Sequence, residues 1–231
     1  MNKKKGIVLG VCAVVVVLVG YLVYFGYNKY QESLIFREGE KIGDMDVLEG
    51  KVDTKLYTSG DYQVVEKTMK DYIVEYVDVT REIVNRLSDE KFTNLLTYEN
   101  VEQDGKEFTE TLNYLNEQKT ELQEGFDRVI AMSSDVEVMK AIEDKNIGTK
   151  YENLYREVML DSSLSDALKD EQTTLIETRD DMMNFIDQYI EVFEFLKEHQ
   201  NDYVLENGQI LFQNESLLNQ YQSYLNALQE S

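Results

Sequence analysis

His199 is the only histidine of the chain, and it lies between Glu198 and Gln200. An imidazole at neutral pH can act as a general base or ligate a metal. Catalysis would also require a nucleophile with a matching signature, and zinc would require further His or Cys ligands. The only cysteine, Cys12, sits inside an apolar run and reads as a small hydrophobe. A favourable charge at a helix end accounts for His199 without chemistry. Asp180-Asp181 is a dense acidic pair, but the 45 Asp and Glu residues include no Asp-x-Asp-x-Asp-Gly loop with a distal Glu. No phosphate-binding loop, G-x-S-x-G or H-E-x-x-H occurs. Asn214-Glu215-Ser216 fits the glycosylation sequon, a three-residue pattern of low specificity. The expectation is therefore a protein that is not an enzyme, with no catalytic residue, no cofactor and no metal.

Tyrosine is the remaining residue type with recognition chemistry. Tyr62, Tyr72, Tyr76 and Tyr189 fall on apolar stripes and are expected to pack inside, with hydroxyls at the rim. Tyr151, Tyr155, Tyr203, Tyr221 and Tyr224 are the expected partner-facing set.

The element that positions all of this is the stretch Gly6 to Tyr27, 22 residues without a charge, preceded by Lys3-Lys4-Lys5. A bilayer core of about 30 Å needs roughly 20 apolar residues in helix. Gly6, Gly10, Val15, Gly20, Tyr24 and Tyr27 mark this expected membrane anchor, with tyrosines at its far end suiting an interfacial belt. The lysines orient residues 1–5 to the cytoplasm and the C-terminal domain to the outside. A cleaved signal peptide fits less well, because the apolar run is long and ends in bulky rings. Val11 before Cys12 does not suit lipidation. Gly6-x-x-x-Gly10 matches the helix-pairing pattern, which ordinary small residues also explain.

Four lysines against Glu32 give residues 1–36 a charge of +3, so the net −22 of the chain becomes −25 over residues 37–231. That charge excludes nucleic acid as a partner and favours cationic ones. With its one cysteine in the apolar run, the outer part must fold on its core alone. The absence of proline suits long uninterrupted helices.

Residues 28–60 mix glycine and charge with little period and read as a juxtamembrane stalk or connector. From Asp61, Tyr62, Val65, Met69, Tyr72, Tyr76, Val79 and Ile83 alternate spacings of three and four, the mark of a packed helix. Asp104 with Glu107 predicts a capping box and a second helix carrying Phe108, Leu112, Leu115, Leu122, Phe126 and Val129. Lys119 falls on that stripe and is expected to snorkel or meet an acid. Ser134 with Glu137, and Thr149 with Glu152, predict short helices near 135–145 and 150–160. The longest outer helix is expected over 164–200, interrupted at core positions by Gln172 and Arg179. Asn207-Gly208 between apolar runs signals a small hairpin, with a helix C-cap at Gly208 as the competing reading. Asn214 is expected to cap a final helix.

The resulting expectation is mainly all-α: a single transmembrane helix (6–27) followed by an acidic antiparallel helical bundle (61–231), with one small β-hairpin near the C-terminus. In layout alone the chain resembles small bacterial surface proteins with a helical extracytoplasmic domain, and no family is assigned. The function expected is a single-pass envelope interaction module whose partner is an envelope protein or a cell-wall polymer. A sensory input domain working through a membrane partner is the alternative, and pairing between copies into a homo-oligomer is open.

Overall fold

The computed structural model of the chain describes residues 24–46, 48–160 and 162–230. It is mostly helical, with one two-stranded antiparallel sheet near the C-terminus. Helix α1 covers 24–43 of the described residues. It is followed by α2 (Asp61–Leu87), the single turn α3 (Glu90–Thr93), α4 (Tyr98–Asp104), α5 (Thr109–Met132), α6 (Asp135–Glu143), α7 (Thr149–Met159), α8 (Ser162–Glu198), strands β1 (Tyr203–Glu206) and β2 (Gln209–Phe212), and α9 (Glu215–Glu230). The chain divides into two compact units: one holds residues up to Glu75 with Asp135–Ser165, the other Tyr76–Ser134 with Asp166–Ser231.

The first unit builds its core from α1, the start of α2, α6 and α7. Ile35, Val65, Ile142 and Tyr155 are fully buried there. Helix α1 approaches α7 closely enough that a Cβ on Gly39 would lie 2.7 Å from Val158 Cγ1, so only glycine fits without displacement. Residues 28–60, expected as a loose connector, behave otherwise. Leu34, Ile35, Glu38 and Val52 are buried, because the apolar residues of α1 continue as a core-facing stripe. The expected boundary at residue 61 is accordingly not where the compact units divide.

The second unit is organised on α5 and α8. Leu115, Leu122 and Phe108 are buried against Ile186, Val192, Phe193 and Leu196 in one cluster. Phe108 and Phe193 lie 5.3 Å apart. The α5 start differs from a capping box: Phe108 is left-handed at φ 49°. Asp104 reaches further along, its carboxylate accepting from the N–H groups of Glu110 and Thr111 at 3.0 and 2.8 Å. Thr149 is likewise the first helical residue of α7, with Gly148 before it as N-cap. Lys119 finds its acid in Asp187, at 2.5 Å. The two polar breaks of α8 tie it to α5: Gln172 donates to the Ile130 carbonyl at 3.3 Å, and Arg179 to Asp127 at 2.7 Å.

The hairpin forms as the Asn-Gly signal requires. Asn207 and Gly208 have φ of 53° and 78°, and Tyr203 pairs with Phe212 across the ladder. Two consecutive positive φ values match the right-handed twist of the strands. Asn214 then accepts from the Ser216 N–H at 2.8 Å, at the start of α9.

Candidate functional site

Of the expected anchor residues, Gly6, Gly10, Val15 and Gly20 lie outside the described residues. Tyr24 and Tyr27 open α1 and are exposed, as are Phe25 and Tyr30 between and beyond them. At about 100° per residue the four rings distribute around the helix axis, in a band roughly 9 Å tall. Among the described residues no helix is long and apolar enough to cross a membrane.

The most organised polar site is buried in the first unit, and periodicity gave no sign of it. Glu38 of α1 and Glu66 and Lys70 of α2 all have side chains under 4% exposed. Lys70 Nζ lies 2.9 Å from Glu38 Oε2 and 2.9 Å from Glu66 Oε1. It also donates to the Lys55 carbonyl at 2.6 Å and sits 5.0 Å from the centre of the Tyr57 ring. The second Glu66 oxygen is used fully: it accepts from the Tyr57 N–H, the Thr58 N–H and the Thr58 hydroxyl, each at 2.8–2.9 Å. Lys41 completes the Glu38 carboxylate at 2.6 Å. Burial pushes both carboxyls up, but the lysines and hydrogen bonds outweigh it and hold both below the usual range. Burial disfavours the Lys70 ammonium, yet its two carboxylates raise its pKa above the ordinary value.

This cluster orders a strap. Residues 51–59 have no regular structure, yet their polar groups are tied to α1 and α2. Ser59 N–H donates to Gln31 Oε1 at 2.9 Å, and Tyr27 and Ser59 hydroxyls meet at 2.5 Å. Every charge of the cluster has its counter-charge and its hydrogen bonds, so its chemistry is that of a clamp rather than of a reacting centre.

In the second unit a cleft of about 370 Å³ opens between α2 and α5, with Val79, Ile83 and Gly125 below and Glu82, Arg86, Glu121, Glu124 and Arg128 around it. Arg86 bridges Glu82 at 3.1 Å and Glu121 across to α5.

The five expected partner-facing tyrosines separate. Tyr155 and Tyr203 are 0% and 1% exposed, which corrects their assignment to a surface: each fills a core cluster, and neither hydroxyl has a hydrogen-bond partner. Their hydroxyls are pushed up by burial, Tyr203 to about 12. Tyr151, in the first unit, keeps part of its ring accessible and packs edge-on to Tyr62 at 5.0 Å. Tyr221 and Tyr224, in the second, join Phe195 and Phe212 in a ring cluster. His199 faces Phe195 at 4.7 Å and Asp202 at 3.2 Å. Among the described residues no group of three or more His, Cys, Asp or Glu is arranged to hold a metal. No family model, curated protein or solved structure matches this chain.

Proposed function

We propose that this chain is a membrane-anchored extracytoplasmic interaction module of a bacterial envelope. In this reading it displays acidic helical units to an envelope protein or cell-wall polymer and performs no catalysis. The observation that supports it is the continuity of α1. Its first described turns carry exposed aromatic rings on all sides, and one turn later Gln31, Leu34, Ile35 and Glu38 are already buried in the first unit. Rings gathered at the end of a 22-residue uncharged stretch suit a lipid headgroup level. A helix that passes from that level into a core mounts the first unit on the bilayer without a flexible linker.

The chain has no tryptophan, so single replacements are clean probes. In the full-length protein reconstituted with brominated lipids, Tyr24→Trp should be strongly quenched. Phe36→Trp, roughly 18 Å further along α1, should not. Equal quenching at both positions, or none at Tyr24→Trp, would overturn the placement. In-cell crosslinking followed by mass spectrometry tests the partner: a reproducible heterologous protein supports the adaptor reading, and self-crosslinks alone at good labelling efficiency refute it.

A second reading, a ligand-binding input domain acting through a membrane partner, draws on the same helix. Because α1 carries Glu38 into the Lys70 cluster, movement of the anchor would reach that clamp directly. A ligand-dependent rise in melting temperature would favour it.

A further inference from the structure

Glu32 on α1 draws two ammoniums to one carboxylate. Lys29 Nζ lies 3.2 Å from its Oε2, and Lys150 Nζ of α7 lies 3.7 Å from its Oε1. Both lysine side chains stay accessible, at 65% and 48% exposed. Lys150 Nζ also stands over the Tyr62 and Tyr151 rings, 4.8 and 5.3 Å from their centres, and donates to the Tyr62 hydroxyl. Tyr62 in turn donates to Glu32 at 3.3 Å. Helices from two distant parts of the sequence thus hold two exposed cations and a ring at one place on α1.

The level of this cluster along α1 decides what it can meet. Helices α1, α2 and α7 run the same way: Tyr62 and Lys150 meet α1 at Glu32, whereas Lys70 meets it at Glu38 and Val158 lies against Gly39. The starts of α2 and α7 therefore stand at the end of the first unit where Tyr27 meets Ser59. In the anchored reading that end faces the bilayer. A hydrocarbon core of about 30 Å centred on Gly6–Tyr27 ends near Gly26, and a headgroup layer roughly 5–7 Å deep covers about the next three to five residues. Lys29 and Tyr30 fall inside that layer and Glu32 at its outer edge. Lys150 and Tyr151, held at Glu32, reach the same edge. The charge there is also unlike the rest: residues 28–32, 59–62 and 144–152 hold three lysines against four acids, close to balance, while residues 37–231 carry −25. An anionic surface repels the acidic chain as a whole, so this end is the one it can meet.

We infer that the Lys29–Glu32–Lys150 cluster is a lipid-headgroup site, its two ammoniums donating to phosphate oxygens of the facing leaflet with the Tyr151 ring beside them. The inference rests on the anchored reading and deepens it: α7 holds the first unit to the bilayer alongside the anchor.

The test uses the full-length protein in nanodiscs, with single tryptophans in a chain that has none. Thr149→Trp, at an exposed position beside Lys150, should be quenched strongly by a nitroxide on the lipid headgroup. Glu157→Trp, also exposed and about 12 Å further along α7, should be quenched several-fold less. Tyr24→Trp with brominated lipid chains reports the anchor separately. Quenching at Tyr24→Trp with equal or absent quenching at the two α7 positions would overturn the inference and leave the anchor standing. No quenching at Tyr24→Trp would sink the anchor, and the inference with it. A second readout addresses the lysines. Lys29→Gln combined with Lys150→Gln should lower the melting temperature by several degrees more in phosphatidylglycerol than in phosphatidylcholine nanodiscs. An equal fall in both would reduce the cluster to internal ion pairs and refute the headgroup contact. Inorganic phosphate that stabilises wild type but not the double variant, in phosphatidylcholine nanodiscs, would assign the lysines to free anions and overturn the bilayer source.

Discussion

Replacing Lys70 with methionine isolates the buried charge cluster. The change keeps the aliphatic stem and removes the one ammonium between Glu38 and Glu66. At 2.9 Å each contact corresponds to about 6 kcal/mol of Coulomb attraction at an effective dielectric of about 20. Desolvation of the three ions costs several kcal/mol each, so the net contribution of the intact cluster is small. Truncation is asymmetric: it leaves Glu66 buried without a cation and Glu38 with Lys41 alone. Lys70→Met should therefore destabilise the first unit by about 3–5 kcal/mol at pH 7. For a unit near 100 residues that is a fall in melting temperature on the order of 20 °C. Circular dichroism with limited proteolysis would read it, and cleavage should concentrate in the strap 51–59. The pH dependence supplies a sharper sign. In wild type, Glu38 and Glu66 titrate below the ordinary 4.5, so their contribution is present above that pH and is lost as pH falls through their folded values. In Lys70→Met, burial acts on Glu66 without a counter-charge and raises it, while Lys41 still holds Glu38, so mild acid should restore stability through Glu66 rather than remove it. Glu38→Gln with Lys70→Met should recover part of the loss at pH 7. A loss below about 1 kcal/mol, against the 3–5 expected for a broken buried pair, with an unchanged acid slope, would show that the cluster is hydrated and the reasoning wrong.

Further outcomes can be stated more briefly. Phe193→Ala removes a fully buried ring from the α5–α8 cluster and should cost about 3–5 kcal/mol in urea titration. Asp104→Ala deprives α5 of the acceptor for two backbone N–H groups; a loss of about 1 kcal/mol is expected, and Asp104→Asn, with a single acceptor oxygen, should recover only part of it. Gly208→Ala sets a Cβ at φ 78° and should destabilise the hairpin by about 1–2 kcal/mol, seen as weakened Tyr203–Phe212 pairing by NMR. The raised Lys70 predicts that its contribution to the first unit is intact below the ordinary lysine value of 10.5 and is lost as pH rises from there through its folded value.

Helices that carry their own stripe were legible in sequence. The Tyr62 to Ile83 spacing reads as α2, and the expected 135–145, 150–160 and 164–200 segments fall on α6, α7 and α8 within two residues at each end. The Asn207-Gly208 hairpin was legible because two positive φ values demand those residue types. What failed depends on distant pairing. Glu38 and Lys70 are 32 residues apart, and no local pattern distinguishes them from other acids and lysines of a charged chain. The same applies to α1, whose buried Leu34 and Ile35 stand among charges that read as a connector. Tyr155 and Tyr203 were misplaced because a tyrosine off the main stripe resembles a surface residue until a second element covers it.

The strap 51–59 carries a consequence for how the first unit is assembled. Its order is borrowed: Glu66, Gln31 and Lys70 hold backbone groups that a helix or sheet would otherwise satisfy. The holders stand on two separate helices: Glu66 of α2 takes the Tyr57 and Thr58 amides, and Gln31 of α1 takes that of Ser59. The Ser59 amide proton should thus gain protection only after α1 has met the strap, and lose it first when they part, while Tyr57 and Thr58 follow α2. The Ser59 amide, read against its two neighbours, forms a natural clock for the docking of α1, readable by hydrogen exchange without any label.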